Sequence, residues 1–329
     1  MSDKKKVHNN TFQDTLKETA SSVASREGSE IIIFEESDDY ADSFGFEWTE
    51  YGGDYIDKGW AYKNAKLYLE WYIGVPLEFL RGKVVLELGS GSGRFTEILA
   101  DYAEEVVTVE MSRAIYCNKA LGRDNVTFVK SDINKLPFSS KFDFVLCLGV
   151  VQHTEDPVLT IEQLFESAKR DAIVAFNVYP KSGREWRNWK YFWRKIIPRI
   201  WPVEKFNDII KKNGRLFYGL SQGCITLTEK LYVKSILART PFLYTYDYSK
   251  LYPNLSDSVR LECFKCDLID MLYATYDQPM FAEEVLVPIL KVGWIPYSYN
   301  LSRNIFRCKK QSGTPQQHGR FTKHGIKFI

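Results

Sequence analysis

Short apolar runs alternate with longer amphipathic segments through the first half of the chain, between Gly82 and about Tyr179. The runs predict buried strands, and the amphipathic stretches predict helices. The strands are Val84–Leu88, Glu105–Glu110, Val126–Lys130, Phe142–Gly149 and Ala172–Val178, and the helices run over 94–102, from an N-cap near Ser112, and after Pro157. Because the strands are continuously apolar, we expect an α/β fold with a doubly wound, Rossmann-like, mostly parallel sheet.

The pattern changes several times along the chain, and these changes predict its domain organisation. Residues 181–275 are rich in Pro, Trp and Tyr and lose the strand–helix rhythm, which returns with a helix near Phe281–Leu290 and a strand pair within Tyr297–Cys308. We therefore predict a disordered tail (1–30), an N-terminal helical cap segment (31–80), a ligand-binding core (81–180), a basic aromatic cap insertion (181–275), a return to the core (276–309) and a polar tail (310–329).

Composition narrows the class of protein. The 329 residues are 45% hydrophobic and 26% charged with a net charge of +2, which is typical of a globular protein and not of a fibrous one. The longest apolar run is far shorter than a membrane span, and the basic start is not followed by an apolar stretch. The six Cys are dispersed, so we expect a reduced, cytoplasmic chain. Cys263 and Cys266 lack a second ligand pair, and we predict no metal site.

Gly-rich residues follow the first predicted strand in the run Glu87-Leu88-Gly89-Ser90-Gly91-Ser92-Gly93. Glycines at a strand exit allow a tight turn and close approach of a ligand. Glu110 ends the second strand, where a carboxylate can accept both hydroxyls of a ribose, and Asp132 follows the third, where it can accept from an adenine amino group. Ligands of open parallel sheets bind at these carboxyl ends, so the features predict one nucleoside site.

Four segments resemble the class I S-adenosylmethionine-dependent methyltransferases of the small-molecule and glycan type with a helical cap. They are VVLELGSGSGRF at 84–95, VVTVEMS at 106–112, NVTFVKSDINKLPF at 125–138 and FDFVLCLGVVQHTEDP at 142–157, with looser similarity at 44–48, 178–181 and 276–285. The resemblance implies the seven-stranded sheet of that family and S-adenosyl-L-methionine as cofactor. The Pro-Gly-Gly turn usual before strand five is replaced by Lys169-Arg170-Asp171, which weakens the subfamily placement.

The resemblance also implies roles for individual residues. Gly89, Gly91 and Gly93 would shape the methionine end of the cofactor site, Glu87 would support the bound amino acid, and Glu110 would hold the ribose. The implied cofactor-binding residues are Glu87, Gly89, Ser90, Gly91, Gly93, Glu110, Met111, Asp132, Ile133, Leu148 and Gln152.

Methyl transfer to a hydroxyl or ammonium group needs an acceptor for the proton that is lost. His153 stands at the exit of the fourth strand, whereas the other three His lie in the predicted tails, so His153 is the candidate base. A structural role in holding its turn is the alternative. Tyr179, Trp186, Tyr276 and Asp277 are the candidate substrate residues. The motifs of adenine N6 and cytosine C5 methyltransferases are absent.

The segment from Lys181 to Arg215 holds 11 Lys+Arg against three acids, a local charge of about +8. Trp186, Trp189 and Trp193 recur at helical spacing and share one face. One interpretation is a cap helix that packs Trp inward and exposes a basic face. A second is recognition of an anionic acceptor, and a third is contact with a membrane surface or nucleic acid.

We therefore expect a methyltransferase that moves a methyl group by in-line displacement to an O or N atom of a small molecule, such as a sugar or glycan precursor or a secondary metabolite. The alternatives are a nucleic-acid or protein methyltransferase and a catalytically silent binding module that uses the basic cap. The oligomeric state stays open.

Overall fold

The computed structural model describes most of the chain. The described residues are 12–52, 60–139, 141–181, 183, 189–231, 246–251, 253–300, 303–310, 320–322 and 325–327. Within them, no helix is long and apolar enough to cross a membrane.

A nine-stranded sheet forms the centre of the fold, in the order β1-β2-β5-β4-β3-β6-β7-β9-β8. Its strands are β1 (Ser22–Arg26), β2 (Ser29–Ile33), β3 (Val84–Leu88), β4 (Glu105–Glu110), β5 (Val126–Lys130), β6 (Phe142–Cys147), β7 (Ala168–Asn177), β8 (Trp294–Asn300) and β9 (Ile305–Lys310). β2 through β7 run parallel, and β9 is antiparallel to both β7 and β8. The predicted mostly parallel α/β sheet is confirmed.

An N-terminal hairpin adds two strands to the seven that were predicted. β1 and β2 pair through a two-residue turn at Glu27 and Gly28, both of which have positive φ. β2 then pairs in parallel with β5, and helix α1 (residues 12–19) places Leu16 in the core. The predicted disordered tail is therefore wrong for residues 12–30, because pairing with β5 compensates for the polar composition of this region.

Helices cover both faces of the sheet. On one face α5 (Pro157–Ser167) and α11 (Ala282–Lys291) join α1 in packing against the strands. On the other, α3 (Trp60–Ile73) and α4 (Thr96–Tyr102) do so. Residues 31–33 are strand and α3 packs on the sheet through Ala65, Leu69 and Ile73, so the prediction that all of 31–80 is cap is wrong.

A helical cap with its own hydrophobic core follows β7. It comprises α6 (Trp189–Trp193), α7 (Ile197–Ile200), α8 (Val203–Leu231), α9 (Tyr248–Leu251) and α10 (Asp257–Tyr273). Trp189, Phe206 and Phe264 are buried in that core together with Tyr51, which belongs to α2 (Asp42–Tyr51). The chain then returns to the sheet through α11, β8 and β9, as predicted. In the predicted polar tail, β10 (Arg320–Thr322) and β11 (Gly325–Lys327) form a separate hairpin.

Candidate cofactor and acceptor site

The glycine loop after β3 depends on backbone geometry that side chains disfavour. Gly89, Gly91 and Gly93 have φ of 75°, 53° and 86°. A Cβ on Gly93 would lie 2.1 Å from Asn118 Oδ1 and 2.6 Å from the Lys119 backbone nitrogen. A Cβ on Gly89 would lie 2.3 Å from the side chain of Val150. The loop is therefore a tight cradle that only glycine fits at these positions.

Glu87 lies beneath the loop in a buried hydrogen-bond network. Its Oε2 accepts from Thr96 Oγ1 at 2.6 Å and from Thr108 Oγ1 at 3.3 Å. Asn118 Nδ2 extends the network by donating to Thr96 Oγ1 and to Ser90 Oγ. Burial raises the pKa of Glu87 to about 7, against the two hydroxyl donors, which lower it. Glu87 thus supports the loop from beneath and is almost fully buried.

Glu110 closes the loop from the end of β4. Its Oε2 accepts from the Gly91 backbone N–H at 2.8 Å, and its Oε1 accepts from the Ser112 N–H at 2.9 Å. Each carboxylate oxygen can accept a second hydrogen bond, so Glu110 keeps capacity for hydroxyl donors. Met111 beside it is buried, and the Ser112 side chain caps a 3₁₀ helix, Arg113–Cys117, as its N-cap role predicted.

Asp132 stands at the end of β5, next to the buried side chain of Ile133. Its Oδ1 accepts from the Asn134 N–H at 2.9 Å and from the Tyr40 hydroxyl at 3.0 Å. The Tyr40 pKa is raised by burial and by the charge of Asp132, so the hydroxyl remains a donor. Glu110 and Asp132 therefore lie at the carboxyl ends of adjacent strands, as predicted.

The turn after β6 carries Leu148, Gln152 and His153. Leu148 is half-buried, whereas Gln152 is buried and its Oε1 accepts from the Tyr179 backbone N–H at 3.2 Å. His153 Nδ1 lies 2.8 Å from the Tyr276 carbonyl oxygen. Because a carbonyl only accepts, Nδ1 carries the proton and Nε2 is the basic nitrogen of the neutral ring. Burial lowers the pKa of His153, which keeps the ring neutral at pH 7.

Residues 35–51, which we call the covering segment, lie over these strand ends. The buried Lys130 Nζ holds its start by donating to the carbonyls of residues 35–37 and by an ion pair with Asp38 at 2.9 Å. Further along, the Phe44 ring lies 4.8 Å from that of His153, between centroids. A Cβ on Gly91 would lie 3.2 Å from Trp48. The covering segment therefore touches the glycine loop, Asp132 and His153.

The candidate substrate residues are only partly brought together. The Tyr179 ring packs edge-on against His153 with centroids 5.4 Å apart, and the Tyr276 carbonyl fixes the His153 tautomer. Asp277 is buried in ion pairs with Lys190 at 2.6 Å and Arg194 at 2.9 Å. Trp186 lies outside the described residues, so its predicted role stays a prediction.

The two ion pairs of Asp277 also show which basic side chains of the cap are buried. Trp189 is buried in the cap core, but Lys190 on the same helix and Arg194 directly after it turn inward to Asp277 and are about five-sixths buried, with side chains 16% and 15% exposed. The burial of Trp189 agrees with the interpretation of a cap helix that packs Trp inward, but the solvated basic face of that interpretation does not hold for these two side chains, because the buried carboxylate of Asp277 pairs with both.

Several contributors were missed from the sequence. Lys130, Tyr40, Phe44 and Asn118 all act on the site through contacts with residues distant in the chain. Only the aromatic run at 44–48 carried a local signal. Among the described residues, no group of three or more His, Cys, Asp or Glu side chains could hold a metal ion. Cys266 Sγ instead donates to Glu47 Oε1.

Two buried polar atoms at the strand ends have no hydrogen-bond partner among the described residues. They are Ser92 Oγ in the glycine loop and Gln152 Nε2 in the turn after β6. Unpaired buried polar atoms cost about 1–3 kcal/mol each. Together with the glycine cradle, they fit a ligand that presents polar groups at this edge of the sheet.

The match to known proteins falls on this part of the chain. Residues 86–176 match the family model described as a methyltransferase domain. This is a class I S-adenosylmethionine-dependent methyltransferase domain. The family resemblance and the cofactor assignment are thereby confirmed, whereas the small-molecule subgroup is not.

The individual proteins that this chain resembles share limited sequence identity with it, and only over part of its length. A tRNA U34 carboxymethyltransferase of Campylobacter lari is 22% identical over 33% of this chain and 40% of its own length. A protein-L-isoaspartate O-methyltransferase of Nitrobacter winogradskyi is 32% identical over 35% of this chain and 52% of its own length. The N-methyltransferase NodS from Bradyrhizobium japonicum, solved with S-adenosylhomocysteine, has a TM-score of 0.38 at 18% identity, covering 46% of this chain and 78% of NodS. The chain thus spans about half the length, or less, of the carboxymethyltransferase and the isoaspartate O-methyltransferase.

Proposed function

We propose that the protein transfers a methyl group from S-adenosylmethionine to an oxygen or nitrogen atom of a small-molecule acceptor, such as a sugar or glycan precursor or a secondary metabolite. The observation that carries this proposal is the placement of the glycine loop, Glu110 and Asp132 at three neighbouring strand ends within the matched domain. The six free cysteines support a reducing, cytoplasmic setting.

The residues that would hold the cofactor follow from these contacts. Gly89, Gly91 and Gly93 leave room for its methionine end, Glu110 has spare acceptor capacity for the ribose, and Asp132 and Ile133 flank the adenine position. When bound, S-adenosylmethionine supplies an electrophilic methyl group on a sulfonium leaving group. The protein's own task is then to align the acceptor and to exclude water. The covering segment serves the second purpose.

His153 is proposed as the base. Its Nδ1–H is committed to the Tyr276 carbonyl, so Nε2 can take the proton that a hydroxyl or ammonium acceptor loses. The rings of Phe44 and Tyr179 hold the imidazole in place. The lowered pKa favours the neutral ring, in which Nε2 can accept a proton.

His153→Asn tests this role, because the Asn amide can still donate to the Tyr276 carbonyl but offers no basic nitrogen. We expect turnover to fall about 10²- to 10⁴-fold while affinity for S-adenosylhomocysteine stays within about threefold. Equal turnover in the variant would leave His153 with a purely structural role.

A second candidate function, methylation of a nucleic acid, is favoured by the tRNA-modifying relatives and by the basic cap. The two candidates share the cofactor site and differ only in the acceptor. The acceptor would lie between the core and the cap in the first case and along an exposed basic surface in the second.

The test of the proposed function is isothermal titration of the full chain with S-adenosylmethionine and S-adenosylhomocysteine. We expect the wild type to bind both ligands with micromolar affinity and Gly91→Arg to bind neither. A side chain at position 91 would meet Trp48, and the backbone there has a positive φ that side chains disfavour. Absence of binding by the folded wild type, or intact binding by Gly91→Arg, would exclude the function. A methyl-radiolabelled cofactor then screens acceptors, and good binding without turnover on any of them favours the silent module.

A further inference from the structure

The side chain of Trp48, in α2, lies over the glycine loop. An added Cβ on Gly91 would be 3.2 Å from Cδ2 of the indole and 3.3 Å from both Cδ1 and Cε2. A point that is almost equally far from three atoms of one small ring, at a distance larger than the width of that ring, lies above the ring and not in its plane. The indole therefore presents its face to the loop, and not its edge.

Contacts on both sides of α2 fix the position of this indole. One helical turn after Trp48, Gly52 packs so closely on the loop that an added Cβ would lie 2.5 Å from Ser92 Oγ. On the side of α2 that faces the cap, the Tyr51 hydroxyl donates to Asn207 Oδ1. The protein itself thus holds the indole against the loop, so a ligand that binds at the loop meets a preorganised group.

The covalent structure of S-adenosylmethionine indicates which of its groups comes next to Gly91. Its positively charged sulfur joins the ribose to the methionine chain and therefore lies between these two groups. Glu110, the residue proposed for the ribose, accepts from the Gly91 N–H, and Gly91 is also the central glycine of the loop proposed for the methionine end. We therefore expect the sulfonium beside Gly91, where Trp48 covers the loop.

The two carboxylates at the loop are engaged elsewhere. Glu87 lies beneath the loop and accepts from Thr96 and Thr108. Both oxygens of Glu110 accept from backbone N–H groups, and its remaining acceptor capacity is assigned to the ribose. The electron-rich face of an aromatic ring attracts a ligand cation without a full negative charge, and Trp provides the strongest attraction of this kind. The indole face at Gly91 therefore supplies what these carboxylates do not.

We propose that the indole of Trp48 recognises the sulfonium of S-adenosylmethionine by a cation–π contact and shifts the selectivity of the site towards this cofactor and away from its neutral product. The inference rests on the proposed function, because it assigns a specificity-determining residue to the same cofactor site. When the methyl group is transferred, the electron pair of the broken S–C bond stays on the sulfur, which becomes an uncharged thioether. The contact then weakens, which favours release of S-adenosylhomocysteine.

The experiment measures the selectivity of the full chain as the ratio of two dissociation constants. Calorimetric titrations with S-adenosylmethionine and, separately, with S-adenosylhomocysteine supply them. Trp48→Leu keeps an apolar side chain but removes the ring, and we expect it to shift the ratio about 3- to 10-fold against S-adenosylmethionine. If Trp48 only supported the fold, its loss would weaken both ligands by the same factor and leave the ratio unchanged.

Three further variants complete the test. Trp48→Met, a longer apolar side chain without a ring, should shift the ratio like leucine and decides the matter if Trp48→Leu does not fold. Trp48→Phe keeps a weaker aromatic face, so its ratio should lie between those of the wild type and the leucine variant. Phe46→Leu is the matched control, because it removes a ring of the same helix that packs against the cap core. Its ratio should stay within about twofold of the wild type.

An unchanged ratio in a folded Trp48→Leu or Trp48→Met variant overturns the proposal, and so does an equal shift of the ratio in Phe46→Leu. The same titrations separate this inference from the proposed function. If the wild type binds both ligands and the Trp48 variants keep its ratio, only the inference about Trp48 fails. If the folded wild type binds neither ligand, the proposed function fails.

Discussion

Within the glycine loop, Gly93 is the position with the least room for a side chain. It has positive φ, and an added Cβ would overlap the backbone of Lys119 as well as Asn118. Gly293 has the same kind of backbone, with φ of 76°, but open space around its Cβ position. Comparing the two separates the conformational cost of an alanine from the steric one.

We expect Gly93→Ala to abolish binding of S-adenosylhomocysteine and to lower the melting temperature clearly. Gly293→Ala should lower the free energy of unfolding only by the cost of a left-handed backbone conformation, about 1–2 kcal/mol. Its affinity for S-adenosylhomocysteine should be unchanged. Calorimetric titration and thermal melting of the two variants check this. Similar affinities for both would mean that the loop does not form the cofactor site.

Glu87 gives the fold a dependence on pH. Its pKa rises from 4.5 to about 7 on folding, so the folded state retains a proton that the unfolded chain has lost. The free energy of unfolding therefore falls as pH rises from about 4.5 to 7, by roughly 3 kcal/mol for this group. Below that range the carboxyl is neutral in both states and the penalty disappears.

Glu87→Gln should remove this part of the dependence, because the amide oxygen can accept from Thr96 and Thr108 while remaining neutral. The difference in unfolding free energy between variant and wild type, from denaturant titrations between pH 4.5 and 8, should grow with pH in favour of the variant. Glu97→Gln, on a half-buried position of α4, is the control and should follow the wild type. A constant difference would contradict the buried, protonated Glu87.

At the scale of elements, Lys130 fixes the covering segment to the end of β5. Its ammonium group contacts three carbonyls and the Asp38 carboxylate while being almost fully buried. Lys130→Met keeps the length of the side chain but leaves these oxygens without their donor. Since breaking a buried pair costs about 3–5 kcal/mol, the segment should detach locally.

We expect amide hydrogen exchange in residues 35–51 to rise at least about tenfold in Lys130→Met, with weaker cofactor-product binding because Tyr40 no longer holds Asp132. Lys135→Met is the matched control, since Lys135 pairs with Glu35 at 3.8 Å on the surface and is two-thirds exposed. Unchanged exchange in the Lys130 variant would show that the other contacts of the segment, with the cap and with the 3₁₀ helix Arg113–Cys117, suffice to hold it.

The elements that could be predicted are those with a local pattern. The five apolar strands, the Ser112 cap and the helix after Pro157 depend on neighbouring residues, and so does the glycine loop. The hairpin β1–β2 was missed, since its first strand is polar and is ordered by pairing with β2, which in turn pairs with β5. Contacts such as Tyr40 with Asp132 join residues 92 positions apart, which no local pattern reports.

At the scale of the whole molecule, the number of unpaired cations on the cap surface bears on whether the acceptor is a nucleic acid or a small molecule. Among the described basic residues of 181–215, four are in ion pairs: Lys181, Lys190, Arg194 and Lys211. The exposed ones without an ion pair among the described residues are Lys195, Arg199, Lys205, Lys212 and Arg215. Among the described residues, five cations of this segment are thus available to phosphates, fewer than the local charge of about +8 suggests.

The logarithm of the affinity for nucleic acid falls linearly with the logarithm of the salt concentration, with a slope set by the number of phosphates neutralised. With five exposed, unpaired cations among its described residues, this segment should neutralise few phosphates and bind RNA only non-specifically. We expect a fluorescein-labelled 30-mer of poly(U), followed by anisotropy at physiological salt, to bind more weakly than about 10⁻⁵ M. Lys212→Glu with Arg215→Glu should change cofactor-product binding by no more than about twofold. Nanomolar binding that those reversals abolish would favour the nucleic-acid acceptor, because α8 would then carry a phosphate-binding surface.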